Sequence, residues 1–101
     1  MARLNLYKNH LNELAKTYPY LLDIQNDQLR VGTRIVALVR PSGSIPDISI
    51  TTLKFSYTGE QYSASLLDLL TVSERHLNSS LAQFDSLKAA LTNAIDFIFF
   101  D

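Results

Sequence analysis

The apolar residues of this chain change their spacing twice, and that change constrains the fold more than any single motif does. Near the N-terminus Leu4, Tyr7, Leu11, Leu14 and Tyr18 recur three and four residues apart, the period of a helix with one buried face. Arg3, Asn5, Lys8, Asn9, Asn12, Glu13 and Lys16 fill mainly the other face. The spacing predicts an amphipathic helix over 3–17, ended by Pro19 and its effect on the backbone of Tyr18.

Between Tyr20 and Tyr62 the period falls to two. Tyr20, Leu22 and Ile24 suit a short strand, and Asn26-Asp27 suits the turn that follows it. In 28–40, Val31, Thr33, Ile35, Ala37 and Val39 alternate, with Val36 and Leu38 adding apolar weight to the opposite face. A strand apolar on both faces belongs in the middle of a sheet. Pro41-Ser42-Gly43-Ser44-Ile45-Pro46 is the clearest loop. Residues 48–57 make another β-rich run, with Leu53, Phe55 and Tyr57 on one side. Thr58-Gly59 then separates it from Glu60-Gln61-Tyr62 as a hairpin turn.

Beyond Ser63 the pattern turns helical again. Ser65 with Asp68 fits a capping box ahead of Leu66, Leu67, Leu69 and Leu70. A helix is the preferred reading of 66–77, and an extended strand is the alternative. Ser80 with Gln83, or Asp85, caps a last helix whose stripe is Phe84, Leu87, Leu91, Ile95 and Ile98. The expected fold is therefore α+β. It is a small two-layer sandwich with an N-terminal helix, a three- to four-stranded antiparallel sheet, and a C-terminal helix or helical hairpin. One compact domain spanning 1–101 fits a chain of 101 residues.

Composition narrows the function by exclusion. Hydrophobic residues make up 47% and charged residues 19%, a globular balance. With no cysteine the chain can form no disulfide and no thiolate metal site. No apolar run is long enough for a signal peptide or a membrane span, so the expected location is cytoplasmic. Nine Lys+Arg against ten Asp+Glu leave a formal charge of −1 and no global attraction for nucleic acid.

Candidate sites are few. His76 has Asp68, Ser73 and Glu74 nearby in sequence, but triads are assembled in space and no Gly-x-Ser-x-Gly turn presents a serine. His10 and His76 lack the spacing of metal ligands, and Pro41-Ser42-Gly43-Ser44 lacks the Gly-Lys-Ser/Thr of a phosphate loop. No catalytic residue, metal or cofactor is assigned. Arg30, Arg34 and Arg40 share parity on the long strand, and Lys54 joins them if the register permits. With Tyr57 and Tyr62 they make a basic, aromatic sheet face suited to an acidic protein or a nucleic-acid backbone. In the tail, Phe97, Ile98, Phe99 and Phe100 point around a helix in every direction, so one packed face cannot hide them all. They either fold into the core or form an interface, with a homodimer as one form of it.

The reading is a small, non-enzymatic protein-binding module that acts by occluding a partner's surface. Inhibitors, immunity proteins and accessory proteins of phages and mobile elements are of this kind. The alternative is a nucleic-acid-associated domain using the basic sheet face. The expected protein-binding residues are Arg30, Arg34, Arg40, Lys54, Tyr57, Tyr62, Phe97, Phe99 and Phe100.

Overall fold

In the computed structural model, which describes residues 3–11, 13–29, 31–43, 49–77 and 79–99, six antiparallel strands form one curled sheet. Their ranges are β1 (Asn5–Lys8), β2 (Tyr20–Asp23), β3 (Thr33–Pro41), β4 (Thr52–Tyr57), β5 (Glu60–Ser73) and β6 (Ala82–Gln83). The order across the sheet is β4-β5-β3-β2-β1-β6. A single turn of helix, α1 (Leu14–Thr17), lies between β1 and β2, and α2 (Lys88–Phe99) follows β6.

The expected N-terminal helix is replaced by β1 and α1. Leu4 and Leu6 enter the larger core cluster with Leu22, Val39 and Leu91. Tyr7, of opposite parity to both, enters the smaller cluster with Leu21, Val36 and Val72. A short strand buried on both faces shows no alternation, so its apolar residues fell by chance at helical spacing. Leu4 itself adopts φ +66°, a conformation foreign to a regular helix.

The preferred helix at 66–77 is likewise overturned, because β5 runs through it to Ser73. Here the sheet register slips. Ala37 faces Leu69 and Val39 faces Ala64, so β5 spends three more residues than β3 between those pairs. The extra residues reverse the phase of the strand, as bulges do, and produce a run of leucines with no two-residue period. Ser65 Oγ accepts the Leu67 amide at 3.1 Å inside this irregularity; it caps no helix. Ser80 and Gln83 form no capping box either, since Ala82–Gln83 is strand β6. The sheet thus has six strands where three or four were expected, and of the two C-terminal alternatives, a helix or a helical hairpin, the single helix is the one present.

Other local expectations hold. Thr58 and Gly59 have φ +50° and +84° and join Tyr57 to its partner Glu60, the positive-φ pair of a tight hairpin turn. Of the loop expected over 41–46, Pro41 is the last residue of β3, Ser42 and Gly43 form a turn after it, and 44–46 lie outside the described residues. Leu91 and Ala94 are fully buried against the sheet, with Leu87, Ile95 and Ile98 flanking them. One sheet face is therefore covered by α2. The other, the back face, carries the smaller cluster.

Candidate protein-binding surface

Helix α2 hides one stripe and leaves the rest of its end apolar. Phe97 is 59% exposed and Phe99 65%, which is uncommon for aromatic side chains on a single chain. Phe99 and Ile95 line a cavity of about 260 Å³ whose other apolar walls are Ile24, Leu29, Ile35, Leu66 and Leu69. Leu69 comes from the irregular stretch of β5, and Leu67 beside it is 58% exposed. The slip in β5 thus leaves Leu67 exposed and sets Leu69 in the same cavity as Phe99 of α2.

The far wall is built by a buried polar network. Asp23, on β2, and Arg34, on β3, form a bidentate pair: Arg34 Nε donates to Asp23 Oδ2 at 2.8 Å and Nη2 to Oδ1 at 3.0 Å. Nη2 also donates to the Gln25 carbonyl at 3.2 Å and to Asp27 Oδ1 at 3.1 Å. The Asp23 carboxylate further accepts the Gln25 amide at 3.0 Å. Gln25 in turn accepts the Ile35 amide at 2.9 Å and donates to the Leu29 carbonyl at 2.7 Å. These bonds fix 24–29, the segment that supplies Ile24 and Leu29 to the cavity. Arg3 closes the end, its amide donating to Asp27 Oδ1 at 2.8 Å and its Nε to the Ile24 carbonyl at 3.2 Å. Burial pushes the Asp23 carboxyl above the usual carboxylate range, while the Arg34 and Gln25 hydrogen bonds pull it down. Burial also disfavours the Arg34 charge, but its bonds to Asp23 more than compensate and raise its pKa.

The basic, aromatic face is divided by the structure. Arg34 and Arg40 share a face as their spacing implies, but both are buried, at 2% and 7% exposure. Register does bring Lys54 into line, since Arg40 pairs with Ser63 and Ser63 with Lys54; Lys54 is exposed. Tyr57 and Tyr62 belong instead to the α2 side of the sheet. Tyr20 packs edge-on against both, with ring centroids 5.5 and 5.3 Å away. Phe55 stacks on Tyr62 at 6.1 Å and touches Phe84 at 4.6 Å. Tyr62 donates to Glu60 Oε2 at 3.1 Å. Burial, then Glu60 and Tyr20, push its hydroxyl up to about 12. Arg30 and Phe100 lie outside the described residues.

The histidines show what sequence spacing concealed. His10 and His76 line one cavity on the back face, whereas Asp68 and Ser73 do not border it. Among the described residues, no group of three or more His, Cys, Asp or Glu could hold a metal ion. Nor is any described helix long and apolar enough to cross a membrane. The Asp23–Arg34 pair and the leucine wall were missed from sequence. A lone carboxylate at an inward strand position, followed by an arginine on the next strand, was the available signal for the pair.

Comparison with known proteins adds a family to this geometry. No curated protein matches the chain, but the family model described as CcdB protein matches residues 3–100. CcdB proteins are toxins of toxin–antitoxin systems and poisons of DNA gyrase, and they bind the antitoxin and gyrase as protein partners. They are small accessory proteins of mobile elements, the broad class expected from the sequence. With its match running almost from end to end, the chain belongs to the CcdB family.

Proposed function

We propose that this chain is the toxin of a toxin–antitoxin pair, that it acts in the cytoplasm by binding DNA gyrase, and that it catalyses no reaction itself. The observation that carries this reading is the exposed apolar end of α2, with Phe97 and Phe99 both open to solvent and Phe99 lining a preformed groove, on a chain of the CcdB family. Burying a phenylalanine side chain is worth about 1.5–3 kcal/mol. Two such anchors with a leucine rim therefore supply much of a specific interface without any catalytic group. The network behind 24–29 holds one wall of the groove in place before a partner arrives, which lowers the ordering cost of association. An antitoxin that covers the same surface would neutralise the toxin by occlusion.

The test is induced expression in bacteria with and without the cognate antitoxin, together with a gyrase cleavage assay on supercoiled plasmid. Growth arrest, relief by the antitoxin, and accumulation of gyrase-cleaved DNA are expected. Phe97→Ser with Phe99→Ser should abolish all three while the protein stays folded. Normal growth and no cleaved DNA at high expression would sink the reading. If the double change leaves poisoning intact but turns a dimer into a monomer, the patch serves a second copy of this chain and gyrase binds elsewhere.

A further inference from the structure

On the back face, away from α2, a cavity of about 310 Å³ is lined by His10, Leu11, Leu21, Val72, Arg75 and His76. Its size reaches the lower end of the range for small-ligand pockets. Leu21 and Val72 are buried members of the back-face cluster, with Leu11 packed against them, so the floor is apolar. The rim carries two imidazoles and a guanidinium, and no carboxylate is among the described lining residues.

Both sides of this rim are held by the backbone. On one side the buried Asn9 clasps the excursion between β1 and β2. Its amide donates to the Pro19 carbonyl at 3.0 Å, its Nδ2 to the Tyr18 carbonyl at 2.7 Å, and its Oδ1 accepts the Leu11 amide at 2.9 Å. That clasp sets His10 and Leu11. On the other side β5 ends in a 3-10 turn, Glu74–His76. The Glu74 amide donates to the Gly32 carbonyl at 3.1 Å, and the Leu77 amide to the Glu74 carbonyl at 3.0 Å. The turn is thereby tied to the start of β3 and presents Arg75 and His76.

We infer that this cavity binds an organic carboxylate, with Arg75, His10 and His76 receiving the anion and Leu11, Leu21 and Val72 receiving a short apolar body. A guanidinium takes a carboxylate through two parallel N–H bonds, and imidazole N–H groups add further donors. The apolar floor favours a carboxylate on a hydrocarbon stub over inorganic phosphate, which is strongly hydrated and offers the floor nothing to cover. A free carboxylic acid and the C-terminus of a peptide present this same chemistry. The inference rests on the back-face geometry alone, so it stands or falls separately from gyrase binding.

The experiment is a two-dimensional amide NMR titration of the whole chain with four probes: butyrate, N-acetylvaline, inorganic phosphate and neutral butanol. Butyrate or N-acetylvaline should give saturable shifts centred on Leu11, Leu21, Val72 and His76. Tighter binding of N-acetylvaline identifies a chain terminus as the source, and tighter binding of butyrate a free acid. Arg75→Ala should weaken either probe at least tenfold; Arg75 and His76 are exposed, so the variants should keep the amide spectrum of the folded chain. Lys54→Ala, on the same sheet but outside the cavity, should leave the affinity unchanged. The inference is overturned if butanol binds as well as butyrate, if phosphate binds as well as either carboxylate, or if Arg75→Ala has no effect. It is also overturned if no probe gives saturable shifts there.

Discussion

Strand β3 and helix α2 place their residues in the reverse of the ordinary order. In β3 the charged Arg34 is 2% exposed, while in α2 the aromatic Phe97 and Phe99 are 59% and 65% exposed. Each departure has a cost, and the two costs are of different kinds. A buried guanidinium is tolerable because Asp23, Asp27 and the Gln25 carbonyl saturate one edge of it. Exposed phenylalanines are tolerable on the function proposed above, in which a partner covers them. On that proposal the first region is finished on folding and the second on association, so changes in the first should read out as stability and changes in the second as binding.

The largest expected effect is therefore on β2–β3. Asp23→Ala should destabilise the chain by about 3–5 kcal/mol, because it strands a buried arginine. That is a large share of the roughly 5–15 kcal/mol that holds a domain together, and denaturant unfolding measures it. Asp27→Ala removes an outer partner whose side chain is 53% exposed and should cost far less. Replacing the pair together, Asp23→Leu with Arg34→Leu, should restore most of the stability. That double variant should still bind its partner more weakly, because 24–29 loses the donors that set the groove wall. Full binding by it would break the link drawn between the network and the surface.

Phe99→Ser comes next. It should change unfolding free energy by no more than about 0.5 kcal/mol, as exposed positions do, while costing about 2 kcal/mol or more of partner affinity as a central anchor. Calorimetric titration with the gyrase fragment or antitoxin that proves active reads the second number. A loss of stability matching the loss of binding would mean that Phe99 belongs to the core after all, and the contrast with Arg34 would vanish.

What was legible in advance follows the same division. The α2 stripe from Leu87 to Ile98, the Thr58-Gly59 turn and the parity of Arg34 with Arg40 are local facts, and spacing reveals them. The first strand was misread because Leu6 and Tyr7 are buried on opposite faces, which leaves a short segment without alternation. The stretch from Leu66 was misread because the register slip in β5 mixes two phases within one strand. The apolar tail was visible as a problem of coverage, but its groove was not. The groove joins Ile24, Ile35, Leu69 and Phe99, which come from the segment after β2 and from β3, β5 and α2. The two histidines, 66 positions apart in the chain, meet only through the folding of the sheet.

A smaller effect probes the aromatic cluster on the α2 side. Tyr62 holds its proton to about 12 against an ordinary value of 10.0. A group whose pKa is raised on folding contributes stability that is complete below the unfolded value and is lost as pH climbs through the folded one. Tyr62 should thus help fully below pH 10 and lose its contribution between 10 and about 12. Ultraviolet titration should show one tyrosine ionising last, and Tyr62→Phe should remove that step. An unchanged titration in the variant would mean that the packing of Tyr20, Phe55 and Glu60 around Tyr62 is looser than described.

The smallest effect is expected at Lys54, and it bears on the comparison most directly. Arg40 and Lys54 occupy one cross-strand row, yet Lys54 alone of the two is exposed. Lys54→Glu should shift stability by less than about 0.5 kcal/mol and partner affinity by less than the tenfold that 1.4 kcal/mol represents, with a modest change in salt dependence. If it instead abolished binding while Phe99→Ser left binding intact, the working surface would be the charged row, and the exposed phenylalanines of α2 would need another occupant. The contrast between a completed β3 and a waiting α2 then reduces to one comparison, the binding of Lys54→Glu against that of Phe99→Ser under the same salt.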